Sequence, residues 1–200
     1  REMFRMITAT VAGEGTGDIE LFFGRLAPGG YAWRFPRAHD ANVGLGVAVL
    51  PSGLGLDGLL DDFVGREAWG SASERTRWWV PLGPPPTSAV RGRALFAGDA
   101  ANLVMATNGG GIPTAVLSGR DAGVAAARHV REGAPLSEYD RLWRAHLAGP
   151  LARGYRIKRF SDPFLRNDWL VAAGMRYIGG RGLDAMMRLR WPPRLGGVSA

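Results

Sequence analysis

The stretch "FAGDAANLVMATNGGGIPTAV", Phe96 to Val116, decides how the rest of the chain is read. A short apolar run ends in Gly98-Asp99, three consecutive glycines (Gly109, Gly110, Gly111) follow, and Pro113 opens an alanine-rich stretch. This order predicts a four-residue buried strand in "RALFAGD", a loop, and a helix from about Ile112 to Arg131. Proline suits a first helical turn and glycine the bend before it. In open α/β folds the carboxyl edge of a strand is where ligands bind, and a carboxylate there can accept hydrogen bonds from the hydroxyls of a polyol. Glycines let a flat ligand lie against the bare backbone, and the helix start beyond them favours negative charge. By itself, Gly98-Asp99 reads more readily as a turn whose Asp bonds its own backbone. Within the helix, Ala115, Gly119, Gly123 and Ala127 recur every four residues, which predicts close packing on a sheet; Arg120 and Asp121 exclude a membrane-dimer stripe.

Upstream, the chain reads as strands. Met3 to Val11 and Ile19 to Phe23 favour β structure, and "YAWRF" (Tyr31 to Phe35) alternates as a half-exposed strand does. In "NVGLGVAVL", Val43, Leu45, Val47 and Val49 share one face, with Gly44, Gly46 and Ala48 on the other, where missing side chains leave room for something to lie. A short helix is expected over 57–68 with Asp57 as its cap, then a strand in "RTRWWVPL". "GLGLDG" (Gly53 to Gly58) matches the spacing of a dinucleotide fingerprint, but the strand before it alternates and Pro51-Ser52 intervene, so we read it as a surface loop. "GPPP" (Gly83 to Pro86) marks the clearest boundary, and 136–189 reads as several basic and aromatic helices.

Composition narrows the classes. The chain of 200 residues is 46% hydrophobic and 22% charged, as a globular protein is, and has 30 glycines and no cysteine. Disulfides and thiolate chemistry are therefore excluded, and His39, His129 and His146 show no metal-ligand spacing, so no metal is expected. Residues 151–200 hold nine Arg and one Lys against three Asp, the whole formal net charge of +7. Such a tail suits phosphates or an anionic membrane surface, while nucleic acid is not the expected partner because no docking motif is recognisable.

"GDAANLVMATNGGGI" resembles the second flavin motif of glutathione-reductase-like FAD enzymes, and more closely that of geranylgeranyl reductases. "PGGYAWRFPRAHDANVGLG" is similar to the second signature of that family, P-x-x-Y-x-W-x-F-P, seven or eight residues, then G-x-G. Pro28, Tyr31, Trp33, Phe35, Pro36, Gly44 and Gly46 fall at its spacings. The resemblance implies an FAD-dependent oxidoreductase that saturates prenyl-lipid double bonds. It implies cofactor contacts at Gly98, Asp99, Asn108, Gly109, Gly110, Gly111 and Ile112. It also implies a prenyl slot lined by Tyr31, Trp33, Phe35, Pro36, Gly44 and Gly46, with Tyr31 a candidate proton donor. Two departures stand out: Ala106 replaces a proline frequent before the glycines, and the G-x-G-x-x-G unit that holds the ADP half of FAD is absent.

The expected fold class is therefore α+β. An antiparallel or mixed substrate sheet occupies 1–86, the final strand and long helix of an FAD-binding domain 87–132, and a basic helical region 133–200. The chain is expected to be the C-terminal half of such an enzyme, inactive and unable to bind FAD tightly without the other half. The expected substrate is a prenyl lipid or prenyl diphosphate, in the cytoplasm with peripheral contact to anionic membrane through 151–200. Two other classes fit the same loop: a flavin-dependent aromatic monooxygenase, and a non-catalytic prenyl-lipid binder.

Overall fold

The structure, a computed structural model, describes residues 2–193. It forms two compact units, one of 3–80 with 161–177, the other of residue 2 with 81–160 and the described residues from 178.

The first unit is a five-stranded sheet with one helix across its face. Strands β1 (Met3–Ala12), β2 (Glu20–Phe22), β3 (Tyr31–Pro36), β4 (Asp40–Val47) and β5 (Ala72–Pro81) lie in the order β2-β3-β4-β1-β5. The β2/β3, β3/β4 and β4/β1 pairs are antiparallel, with Trp33 opposite Gly44 and Thr8 opposite Gly44 on the other side. Alternation sorts the side chains, because successive residues of a strand point to opposite faces. Ile7, Ala9, Val11, Val43, Leu45 and Val47 form the core face, sealed by Leu59, Leu60, Phe63 and Val64 of helix α1 (Leu56–Arg66). Each large side chain so buried contributes about 1.5–3 kcal/mol. Phe22, Phe63 and Trp69 close one end edge to face, with centroids 5.0–6.1 Å apart. β4 ends at Val47, so Val49 leaves the face expected for it and stands exposed.

Three details of this unit differ from the sequence reading. Asp57 does not cap α1, whose N-cap is Gly55; its carboxylate instead pairs with Arg75 and Arg77 of β5. Two guanidiniums crossing from a neighbouring strand outweigh one backbone N–H. The glycine face is not empty either. A Cβ on Gly44 would lie 2.4 Å from Trp33 Cζ2, and one on Gly46 3.4 Å from Met6 Cε, so the Trp33 ring and the Met6 side chain already occupy that room. Finally, 161–177 joins this unit: Asp168 accepts hydrogen bonds from the Arg25 N–H (2.6 Å) and Arg25 Nε (2.7 Å).

The second unit is helical. β6 (Val90–Arg91) and β7 (Ala94–Leu95) form a small hairpin, α2 (Ile112–Glu132) follows, then α3 (Glu138–Trp143), a π turn, and α4 (Gly149–Ser161). Helix α5 (Asp168–Met187) breaks at Gly179, whose φ of 62° is left-handed, and its second half packs in this unit. α2 ends where glycine permits: Gly133 at φ 69° donates to the His129 carbonyl. Tyr139 and Trp143 are fully buried, and Asp140 accepts from the Ala89 N–H, Ser88 Oγ and Trp143 Nε1 at 2.6–2.9 Å. The four-residue buried strand expected in "RALFAGD" shrinks to Ala94–Leu95, and Ala94 is exposed. Among the described residues its only ladder partner is β6, and only Leu95 packs against the core of this unit, so the strand is not covered on both faces as one inside a parallel sheet is. For the same reason the middle of the small-residue stripe of α2 is bare: a Cβ on Gly119 or Gly123 would meet nothing within 4 Å. No described helix is long and apolar enough to cross a membrane.

Candidate functional site

The glycine loop is built by its own backbone. Gly98 adopts φ 53°, which lets its N–H reach Ser118 Oγ (3.0 Å) while its Cα side packs against Ala115; a Cβ there would stand 2.8 Å from Ala115 Cβ. This fastens the short 3-10 turn Gly98–Ala101 to the first turns of α2. Met105 N–H donates to the Gly110 carbonyl (3.0 Å) and Gly109 N–H to the Met105 carbonyl (2.8 Å), with Gly109 at φ 68°. Asn108 Oδ1 accepts from the Gly110 N–H (2.9 Å), and its Nδ2 donates to the Met187 carbonyl (3.2 Å). The loop is thus shaped before any ligand arrives.

Asp99 and Gly111 meet at the centre. A Cβ on Gly111 would fall 2.6 Å from Asp99 Oδ1, so the bare backbone is what admits the carboxylate. Asp99 is exposed rather than set at the end of a buried strand, and among the described residues its carboxylate has no hydrogen-bond partner. No side chain caps the start of α2, Pro113 sits in its first turn, and Ile112 is 81% exposed. The result is an open carboxylate beside an uncapped helix N-terminus, able to accept from hydroxyls and to donate to an anion.

The second set of sequence candidates lies on the sheet unit. Tyr31, Trp33 and Phe35 project from β3 as one row, with centroids 5.9 Å apart along it; Phe23 continues the row at 5.9 Å from Tyr31. Gly44 and Gly46 sit beneath Trp33 and Tyr31 in register. Pro36 does not join them: it ends β3 on the other parity, opposite Ala41. Behind Trp33 runs a polar relay the sequence reading missed. Trp33 Nε1 donates to Asn42 Oδ1 (2.9 Å), Asn42 Nδ2 to Thr8 Oγ1 (2.7 Å), and Thr8 Oγ1 to the Val43 carbonyl (3.0 Å). Asn42, Thr8 and Met6 share this face with Gly44 and Gly46, a placement that only the strand register reveals. Burial raises the pKa of Tyr31, so its hydroxyl stays protonated through the physiological range.

Residues 3–76 match the family described as the geranylgeranyl reductase catalytic domain. The digeranylgeranylglycerophospholipid reductase of Methanoculleus marisnigri is 34% identical over 154 residues, 72% of this chain and 39% of that protein. The second such reductase of Methanothermobacter thermautotrophicus is 30% identical over 178 residues, 86% of this chain and 46% of that protein. The chain spans about two fifths of the length of the curated relatives it matches, 39% for the first of them. Among solved structures, a geranylgeranyl bacteriochlorophyll reductase-like protein from Thermoplasma acidophilum superposes with a TM-score of 0.77 at 20% identity, over 96% of this chain and 49% of that one. A probable FAD-dependent monooxygenase from Pseudomonas aeruginosa superposes with a TM-score of 0.55 at 14% identity, over 88% of this chain and 52% of that one. These likenesses show the α+β fold that the sequence predicted, and the resemblance to geranylgeranyl reductases is shown with them.

Proposed function

We propose that this chain of the geranylgeranyl reductase family is the lipid-handling part of an FAD-dependent reductase that saturates double bonds of a geranylgeranyl-type prenyl lipid. The observation that carries the reading is the row Phe23, Tyr31, Trp33 and Phe35, with Gly44 and Gly46 of the neighbouring strand paired to Trp33 and Tyr31. A flat apolar chain packs well on aromatic faces, and Gly44 is what lets the Trp33 ring come close to the sheet backbone. The relay from Trp33 to Asn42 and Thr8 satisfies the indole N–H of the row, so that donor is not left buried and unpaired.

The residues of the glycine loop fit one end of FAD. Asp99 would hold the ribityl hydroxyls, and the Asn108–Ile112 backbone, bare at Gly110 and Gly111, would lie beside the ring system. When bound, the cofactor supplies a hydride to one alkene carbon. The chain's part is to exclude water from the prenyl face, to orient the alkene, and to keep a proton at the Tyr31 oxygen for the other carbon. The basic helices of 151–193 would meet the lipid's phosphate or an anionic membrane; the remainder of that tail, 194–200, lies outside the described residues.

The test is the mass of a geranylgeranyl lipid after anaerobic incubation with reduced FAD and a full-length protein that joins this chain to a nucleotide-binding half. A gain of two mass units per bond is expected. A gain of sixteen in air identifies a monooxygenase instead, the reading that the monooxygenase-like fold keeps in view. Lipid that binds and returns unchanged identifies a non-catalytic binder.

A further inference from the structure

A cleft of about 350 Å³ opens on the sheet unit where β5 passes the start of α1. Its apolar walls are Trp78, Trp79, Leu50 and Leu56, and its charged rim is Arg5, Arg77 and Asp57. Trp78 and Trp79 are 39% and 56% exposed, and Val49 and Leu54 in the adjoining loop are exposed as well. Adjacent large apolar side chains left in water mark a place where something else is to lie.

The charges on the rim do not cancel. Asp57 and Asp61 are matched by Arg75 and Arg77, with Arg77 Nε 3.1 Å from Asp57 Oδ2 and Arg75 NH2 2.5 Å from Asp61 Oδ1. Arg5 is left over. Its Cζ lies 5.0 Å from the centroid of Trp79, and among the described residues it has no carboxylate partner. Stacking holds the guanidinium plane in place and leaves its N–H fork for an acceptor, an arrangement suited to two phosphate oxygens. An anion that also carries hydrocarbon uses both halves of the cleft; one without hydrocarbon uses only Arg5. The volume sits at the small end of the range for ligand sites, roughly 300–1,000 Å³, so it takes a head group and a few methylenes rather than a whole lipid.

We propose that this cleft binds the phosphate ester of an apolar chain, the phosphate on Arg5 and the first part of the chain on Trp79, Leu50 and Leu56. The site stands on the sheet unit alone and does not depend on the flavin reading. The experiment follows the indole N–H resonances of Trp78 and Trp79, assigned through Trp78→Phe and Trp79→Phe, during titration with dihexanoyl phosphatidate below its micelle threshold. A saturable shift of Trp79 is expected, and Arg5→Gln, an exposed substitution that leaves the thermal midpoint in place, weakens it about tenfold. Inorganic phosphate and uncharged dihexanoylglycerol each bind at least about tenfold more weakly. Phosphatidylcholine vesicles with and without phosphatidate separate the two sources: Arg5-dependent capture by the anionic vesicles means a lipid surface, and response to the monomer only means a single lipid. Absence of a saturable shift, indifference to Arg5→Gln, or equal binding of phosphate or dihexanoylglycerol overturns the proposal. So does a dimer that Trp79→Ala dissolves without any response to phosphatidate, since the cleft is then an interface between copies.

Discussion

Substituting Gly44 by alanine tests the packing that makes the aromatic row possible. The new Cβ would stand 2.4 Å from Trp33 Cζ2 and 2.6 Å from the Ile7 carbonyl oxygen. The first contact can be relieved only by tilting a ring that is 4% exposed, the second only by parting β1 from β4. Overfilling of this kind costs about 1–3 kcal/mol. Tilting Trp33 also strains its hydrogen bond to Asn42, worth about 1 kcal/mol more. The expected loss is about 2–4 kcal/mol by urea denaturation, or roughly 5–15 °C in midpoint. Gly46→Ala is the control: its nearest neighbour is the flexible Met6 side chain at 3.4 Å, so the cost stays below about 1 kcal/mol. If Gly44→Ala costs no more than Gly46→Ala, the ring does not lie on Gly44 and the account of this face fails.

Other outcomes follow from the polar interior. Burial works to raise the pKa of Asp140, but hydrogen bonds from Ala89, Ser88 and Trp143 outweigh it and hold the carboxyl below its ordinary value. A depressed pKa gives stability that is present above the unfolded value, near 3.9, and lost as pH falls through the lower folded value. Acid denaturation of the helical unit should therefore steepen below about pH 4, and Asp140→Asn should flatten that slope while costing about 1–3 kcal/mol at pH 7. Arg34 is 7% exposed and gathers the carbonyls of Glu14 (2.8 Å) and Thr16 (2.5 Å) with the carboxylate of Glu20 (3.0 Å). Arg34→Met should release the 13–19 loop, read as new cleavage there in limited proteolysis, at about 2–3 kcal/mol; an unchanged digest would show that the loop holds itself.

What was legible in the sequence is what neighbours along the chain decide. α2 was readable to within a residue because Pro113 and Gly133 punctuate it, and β3 because "YAWRF" alternates. What was not legible depends on partners far away in the chain. Asp57 looked like a cap until β5 brought Arg75 and Arg77 against it, 18 and 20 residues on. Gly44 and Gly46 looked like an open slot, and the spacing gave no sign that Trp33 itself, set opposite Gly44 by the strand register, takes the room. "RALFAGD" carries the pattern of a buried strand, but burial needs neighbours, and among the described residues only Val90–Arg91 pairs with it. The site candidates divide the same way: the contact of Asp99 with Gly111 follows from a local loop, whereas Asn42 and Thr8 became visible only through the sheet.

The reach of the glycine loop sets a limit on flavin affinity, and the limit discriminates between ligands. Asp99 accepting from ribityl hydroxyls offers about 3–5 kcal/mol. The start of α2 adds about 0.5–1 kcal/mol, and covering one face of the ring system about 2–3 kcal/mol. Association costs at least about 4 kcal/mol. The surplus is at most about 5 kcal/mol, a Kd no tighter than about 0.2 mM. None of these contacts involves the adenosine diphosphate end, so riboflavin, FMN and FAD should bind within about threefold of one another. Asp99→Ala should abolish measurable binding of all three while leaving the urea midpoint unchanged, since the carboxylate is exposed and has no hydrogen-bond partner among the described residues. Equilibrium dialysis with the three flavins decides it. Submicromolar, stoichiometric FAD with riboflavin a hundredfold weaker would show that the chain recognises the nucleotide end after all, and would move the main binding determinant away from Asp99 and the three glycines.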